Sequence, residues 1–179
     1  MAGNRGRKHT SGGLETLRRF LNTVPREGRP DLLGSPEALA RWLASQGLVP
    51  TGSELSDRQH RRALGLRAAL LGHVQRDPEA QRRLETVCRD LRFELAFDDR
   101  DIPRFQPVSN GSERALGALV EIFVRARHAR AWRRLKPCRE CGRVFYDSSH
   151  NRVGKWCSDR CGDRVRAAKA RRRKKARRR

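Results

Sequence analysis

Four cysteines constrain this chain more than any other feature: Cys138, Cys141, Cys157 and Cys161 are spaced C-x2-C-x15-C-x3-C. Two close pairs joined by a loop are what a tetrahedral four-thiolate site needs, because each pair spans one edge of the tetrahedron. The cofactor this spacing predicts is Zn2+, structural rather than catalytic, since four protein ligands close the coordination sphere. Gly142 follows the first pair, where the backbone must turn tightly so that amides can point at sulfur. Val144-Phe145-Tyr146 reads as a short strand and Asp147, Ser148 and Ser149 as the bend after it. Phe145 and Trp156 are the expected small core over the metal. So little apolar surface cannot hold a fold alone, so the metal is expected to supply much of the folding free energy.

A redox reading of Cys138-Arg-Glu-Cys141 fits less well. A thioredoxin-type pair follows an apolar strand and opens a helix, whereas Lys136-Pro137 precede this pair and Gly142-Arg143 follow it. The second pair would also have no role. His150 lies nearby, but four sulfurs make it unnecessary. Cys88 falls on the apolar face of an expected helix and reads as a buried, inert thiol.

Charge is the next constraint. Of the formal net charge of +22, residues 125–179 carry 22 Lys/Arg against 4 acids, whereas residues 1–124 carry 20 against 16. Such a one-signed region predicts a polyanion partner, because bound Lys and Arg release condensed counterions from phosphates; a merely solubilising surface would mix both signs. The run from Ser158 onward is helix-friendly and free of proline, and a basic helix springing from a metal-fixed site suits nucleic acid. From Ala170 the tail is expected to be disordered until bound. The candidate contacts are Arg152, Lys155, Arg160 and Arg164, which flank the second cysteine pair and could meet base edges. Arg166, Lys169, Arg171, Arg172, Arg173, Lys174 and Lys175 are the further contacts expected along the basic run.

Upstream the pattern is helical. Residues 1–12 are Gly, Ser and basic, and are expected to be disordered. Leu14, Leu17, Leu21 and Val24 recur at helical spacing up to Pro25. Ser35-Pro36 caps a second helix (Leu39, Trp42, Leu43 inward), with Gly47 past its end. Ser56 with Gln59 makes a capping box for a third, using Ala63, Leu66, Leu70 and Val74. Asp77-Pro78 starts a fourth with Ala80, Leu84, Val87 and Cys88 inward. The period then becomes two: Leu91, Phe93, Leu95 and Phe97 alternate with Arg92, Glu94 and Ala96, a strand with one wet face. Asp98 to Asp101 form the expected turn before a return over Arg104–Val108, and Ser112 opens a long helix using Leu116, Leu119, Val120 and Phe123, with a continuation past Trp132 left open.

The expected architecture is mainly α with one small β-hairpin. Residues 1–12 form a tail, 13–131 a helical domain, 132–168 the zinc module, and 169–179 a basic helical or disordered tail, with the two cores separate. The helical domain reads as a small-molecule sensor or a dimerisation platform, so an unidentified ligand and a homodimer are its expected partners. His60, His73 and His128 stand alone on or beside helical faces. With no nucleophile–base constellation, HExxH, phosphate-binding glycine loop or paired-carboxylate motif, a binding protein rather than an enzyme is expected. No transmembrane or secretory pattern is present, which predicts no membrane partner and a cytoplasmic, nucleoid-associated protein.

The stretch Trp132–Arg166 resembles the CGNR-type zinc-finger proteins in its first Cys pair, Phe145, Asp147, Ser149, Asn151-Arg152, Trp156-Cys157-Ser158 and Cys161-Gly162. Phe20-Leu21-Asn22-Thr23-Val24 and the Pro36-to-Leu43 segment are similar to the companion helical domain named ABATE. The resemblance implies a bacterial, stress-related transcription regulator that binds duplex DNA. The chain departs from the signature at Cys161-Gly162-Asp163-Arg164, with Asp where the family has Asn. Either residue suits a helix start, but an anionic Asp would weaken any contact that the Asn makes with a phosphate or base edge. The alternative is a sequence-nonspecific RNA- or ribosome-associated zinc protein. It is disfavoured because few aromatics beyond Tyr146 are available to stack bases.

Overall fold

Residues 12–177, apart from 27, 98, 100 and 109, are described by the computed structural model. Helices α1 (Gly12–Leu21), α2 (Pro36–Ser45), α3 (Asp57–Gln75), α4 (Ala80–Cys88) and α5 (Gly111–His128) form where apolar residues recur at helical spacing. Their starts are written locally. Ser35 accepts from the Ala38 amide with Pro36 at the first helical position, and Ser56 and Gln59 complete a capping box. Leu17, Phe20, Leu43, Leu66, Leu70, Leu116 and Leu119 bury fully between these helices. Arg67 crosses the same core to form a two-pronged pair with Asp31, and it also donates to Thr23 at 2.9 Å.

Boundaries shift where side chains override periodicity. α1 stops at Leu21, short of Val24. α4 begins only at Ala80, because the Asp77 carboxylate first accepts from the Glu79 amide at 2.9 Å. α5 does not run on past Trp132: Arg130 takes φ 57°, and a 3-10 turn over Ala131–Arg134 sets Trp132 edge-on to Phe123 with ring centroids 4.7 Å apart. Residues 1–11 of the expected tail and 98 and 100 of the expected turn lie outside the described residues. Gly12 is already helical.

The described residues are mainly α with two small antiparallel hairpins. β1 (Phe93–Phe97) pairs with β2 (Pro103–Pro107), Leu95 opposite Phe105. β2 lies on α5, where Gly117 leaves the room: a Cβ there would come within 2.7 Å of Pro107. The alternating apolar face is not in the core, however. Leu95, Phe97 and Phe105 are 59%, 63% and 52% exposed: the Phe93–Pro107 end packs on Gly117, and farther along Phe97 and Phe105 line an open depression with Ala118, Glu121, Ile122 and Arg125 instead of closing on α5. The second hairpin joins the expected strand, β4 (Val144–Tyr146), to an unanticipated partner, β3 (Leu135–Pro137).

The expectation of two separate cores does not hold. Trp132, Leu135 and Val144 are buried in one cluster with α1, α3 and α5 side chains, and Tyr146 packs against it. Alternation along β4 sends Val144 and Tyr146 toward the helices and Phe145 the other way. The last helix, α6 (Asp159–Ala176), is continuous through Ala170, where disorder was expected. With no glycine or proline after Gly162 and four alanines among the basic residues, nothing in its sequence breaks it. No helix of the described residues is long and apolar enough to cross a membrane.

Candidate metal centre and basic helix

Each cysteine is placed by a different piece of local structure. Cys138 follows β3 directly, Cys141 sits in the turn beyond it, Cys157 precedes α6, and Cys161 lies in the first turn of α6. The turn is closed by Cys138 N–H donating to Arg143 O and Gly142 N–H donating to Cys138 O, both at 2.8 Å. Gly142 takes φ 67°, as its place after the first pair requires. All four sulfurs lie within 4.8 Å of one another. Cys141 and Cys157 are 3.6 Å apart and Cys157 and Cys161 3.7 Å. A zinc ion with Zn–S bonds of about 2.3 Å sets sulfur–sulfur edges of about 3.8 Å, so the donor set fits a tetrahedral ion.

The electrostatics also call for a cation. Burial opposes a Cys138 thiolate, but the amides of Cys141, Cys157 and Glu140 outweigh it and bring the pKa to about 6. Cys157 is pushed up to about 12 by burial and by the sulfurs of Cys141, Cys161 and Cys138, and burial likewise raises Cys141. One thiolate is welcome in this nest and its neighbours are not, until a divalent ion compensates the accumulating charge. Cys88, half-buried on α4, has its thiol raised by burial, as suits an inert residue.

Asp147 fixes the loop between the two cysteine pairs. Its carboxylate, 3% exposed, accepts from Lys136 Nζ at 2.7 Å, Ser149 N at 3.0 Å, Ser149 Oγ at 2.6 Å and Gly154 N at 2.9 Å. Burial disfavours the charged form, but these donors outweigh it and hold the pKa down to about 2. Gly154 is the residue that admits this closure, since a Cβ there would lie 2.7 Å from Asp147 Oδ1.

Asn22 and Arg26 of the helical region reach the cysteine site, and sequence reasoning assigned them no role. The Asn22 side chain behaves as an extra strand residue beside β4: Nδ2 donates to Val144 O at 2.8 Å, and Val144 N–H donates to Oδ1 at 2.9 Å. Oδ1 also accepts from Arg26 Nη2 at 2.8 Å, and Arg26 Nη1 donates to Cys141 O at 2.7 Å. The one available signal was a polar Asn22 inside the apolar run Phe20–Val24. Phe145 and Trp156, expected over the metal, are half-buried, and Trp156 packs beside Gly162.

The candidate nucleic-acid contacts divide by environment. Arg152 is exposed at the loop tip with φ 53°, and its carbonyl accepts from Lys136 Nζ. Lys155 is exposed, its carbonyl tied to the Arg139 amide at 3.1 Å. Arg160 is exposed in the first turn of α6. Arg164 turns back toward the cysteines, with Nη2 3.6 Å from Cys161 Sγ and Nε 3.9 Å from Glu140. Arg166 pairs with Asp163, which answers where the departing Asp goes: it salt-bridges one turn along α6. Lys169, Arg171, Arg172, Arg173, Lys174 and Lys175 are exposed on α6, where only Cys161 and Gly162 are buried.

A helical unit that seats a four-cysteine knuckle against its own core, with a basic helix leaving from the last ligand, is a zinc-finger protein with a helical companion. The chain belongs to the ABATE family, whose model, described as "putative stress-induced transcription regulator", matches residues 17–140. A CGNR zinc finger model matches residues 134–174. The two matches share residues 134–140, which contain β3 and Cys138. No curated protein matches the chain.

Proposed function

We propose that the chain is a zinc-dependent, duplex-DNA-binding transcription regulator of the cytoplasm and nucleoid, not an enzyme. Zn2+ held by Cys138, Cys141, Cys157 and Cys161 would supply cross-linking and charge compensation, with no part in chemistry. The observation that carries this reading is α6. It is anchored at Cys161 and bears nine Lys/Arg against two acids, and from Arg166 onward every described residue of it is exposed. Arg160, Arg164, Arg171 and Lys175 recur on one face of it at helical spacing. α6 carries no aromatic residue, which favours duplex phosphates over the stacked bases of a single strand. Arg152, Lys155 and Arg160 are the free candidates for base edges. Arg164 leans toward Cys161 and Glu140 yet stays largely exposed, so it remains a candidate for a phosphate or base edge.

The helical unit serves as the responsive part, as a self-association platform or as the seat of a small molecule. The ligand alternative would use a surface depression of about 530 Å³ lined by Glu37, Arg41, Ser45, Thr51 and Glu54. Competition among duplex DNA, single strand and structured RNA tests the main reading. Duplex should win, and RNA winning would move the protein to the ribosome- or RNA-associated class. Deleting residues 171–179, eight of which are Lys or Arg, should make the salt dependence of log K shallower by several units. The ceiling is about seven for B-DNA, and an unchanged slope would mean that the tail does not touch the nucleic acid.

A further inference from the structure

The hydrogen-bond phase of the first hairpin leaves one edge open. Val108 N–H donates to Arg92 O at 3.1 Å, in the register that sets Leu95 opposite Phe105. Bonded and non-bonded pairs alternate in an antiparallel ladder. Arg92, Glu94 and Ala96 therefore bond toward β2, and Phe93, Leu95 and Phe97 turn their N–H and C=O groups outward. The outward positions of β2 are Pro103, Phe105 and Pro107, and proline has no N–H. The outer edge of β2 is thus blocked against strand addition, and that of β1 is not. Among the described residues β1 pairs with β2 alone. The same hairpin carries the exposed side chains of Leu95, Phe97 and Phe105.

We propose that this edge receives a second copy of the chain, β1 pairing antiparallel with the partner's β1 about a two-fold axis at Leu95. The sequence Phe93-Glu-Leu95-Ala-Phe97 is self-complementary in that arrangement. Each Phe93 lies opposite the partner's Phe97, Leu95 lies opposite its own copy, and all are positions whose backbone groups point outward. The product is a four-stranded sheet in the order β2, β1, β1, β2, past the three strands that a sheet needs for independent stability. Aromatic cross-strand pairs add to it. Leu95, Phe97 and Phe105 of both copies then form one apolar face flanked by the two α5 helices.

Charge selects this occupant over a polyanion. In a chain of net +22, the described residues of 91–108 hold two arginines (Arg92, Arg104) and three carboxylates (Glu94, Asp99, Asp101). That patch neither repels its own copy nor attracts phosphate. The inference rests on reading the helical unit as a self-association platform, and it places two α6 helices on one assembly.

Sedimentation velocity of the zinc-loaded full chain, freed of nucleic acid and held in high salt, reads the assembly alone. The wild type should sediment as a dimer and Leu95→Lys as a monomer with unchanged helical signal and zinc content. Leu32→Lys, at an equally exposed leucine away from the hairpin, should stay dimeric. As a second readout, Leu95→Cys in a Cys88→Ser background should cross-link two copies through the introduced thiols, mapped by peptide mass. Glu94→Cys, whose backbone faces away from the axis, should not. A monomeric wild type, or a Leu95→Lys protein that remains dimeric, overturns the proposal; should Leu95→Lys unfold, the cross-link decides. A dimer that binds no DNA would sink the functional reading alone. A monomer that binds DNA would sink this one alone.

Discussion

Hairpin β3–β4 has three residues a side and β1–β2 five, yet the shorter hairpin is the better buried. The shorter one has its outer edge completed by the Asn22 amide and its face by Leu135 and Val144 under the helices. The longer one has more apolar side chains and nothing over most of them. The difference lies in what each face meets. Alternation groups side chains onto a face, but it does not say what covers that face. Trp132, Leu135 and Val144 are drawn into the helical core because a short turn delivers them there, whereas β1 closes on α5 only near Phe93 and leaves an open depression beside the rest.

The largest test of this contrast is metal removal. Because β3–β4 belongs to the helical core, stripping the metal or making Cys138→Ser should loosen α1, α3 and α5 as well as the knuckle. A structural zinc is worth on the order of 10 kcal/mol to a small metal-folded unit. Helical signal and zinc content, followed together through a chelator titration, should fall as one transition. A knuckle that unfolds while the helices keep their full stability would break the comparison.

Asn22→Ala comes next. It leaves Val144 N–H and C=O buried without partners, which should cost about 2–4 kcal/mol. Denaturant midpoints at unchanged slope measure it, and a loss under about 1 kcal/mol would mean that water replaces the amide.

Asp147 gives a smaller, pH-dependent effect. Its folded pKa of about 2 lies below the ordinary 3.8, so its contribution is present above the unfolded value and lost as pH falls through the folded one. The stability gap between wild type and Asp147→Asn should be about 2 kcal/mol at neutral pH and close between about pH 5 and 2. A gap that ignores pH would show the carboxylate's charge to be irrelevant.

The smallest effect belongs to the other hairpin. In the dilute monomer Phe97→Thr should change stability by no more than about 0.5 kcal/mol. Its cost should grow with protein concentration if the edge self-associates. A large loss in the dilute monomer would mean that β1 is covered by its own chain.

What could be read in advance was local. The cysteine spacing, the capping pairs Ser35-Pro36 and Ser56/Gln59, and the turn at Gly142 each depend on residues a few positions apart, and each lies where the spacing placed it. The strand at Val144–Tyr146 was legible too, but Leu135–Pro137 was not: three residues containing a proline carry no alternation to detect. Asn22 was illegible for another reason, since it is 122 residues from Val144 and no pattern in either segment announces the pairing. The period-two run at Phe93–Phe97 gave the right strand and the wrong surroundings.

Asn22 also bears on whether the knuckle can be treated as a cassette. A graft that carried only the cysteine-bearing segment onto another scaffold would arrive with β4 lacking its edge residue and Val144 facing solvent. It would need a substitute amide at the same height and a hydrophobic bed to lie on. Recombination would have to cut upstream of Asn22 to move a working copy, so the two halves are expected to travel between genes together.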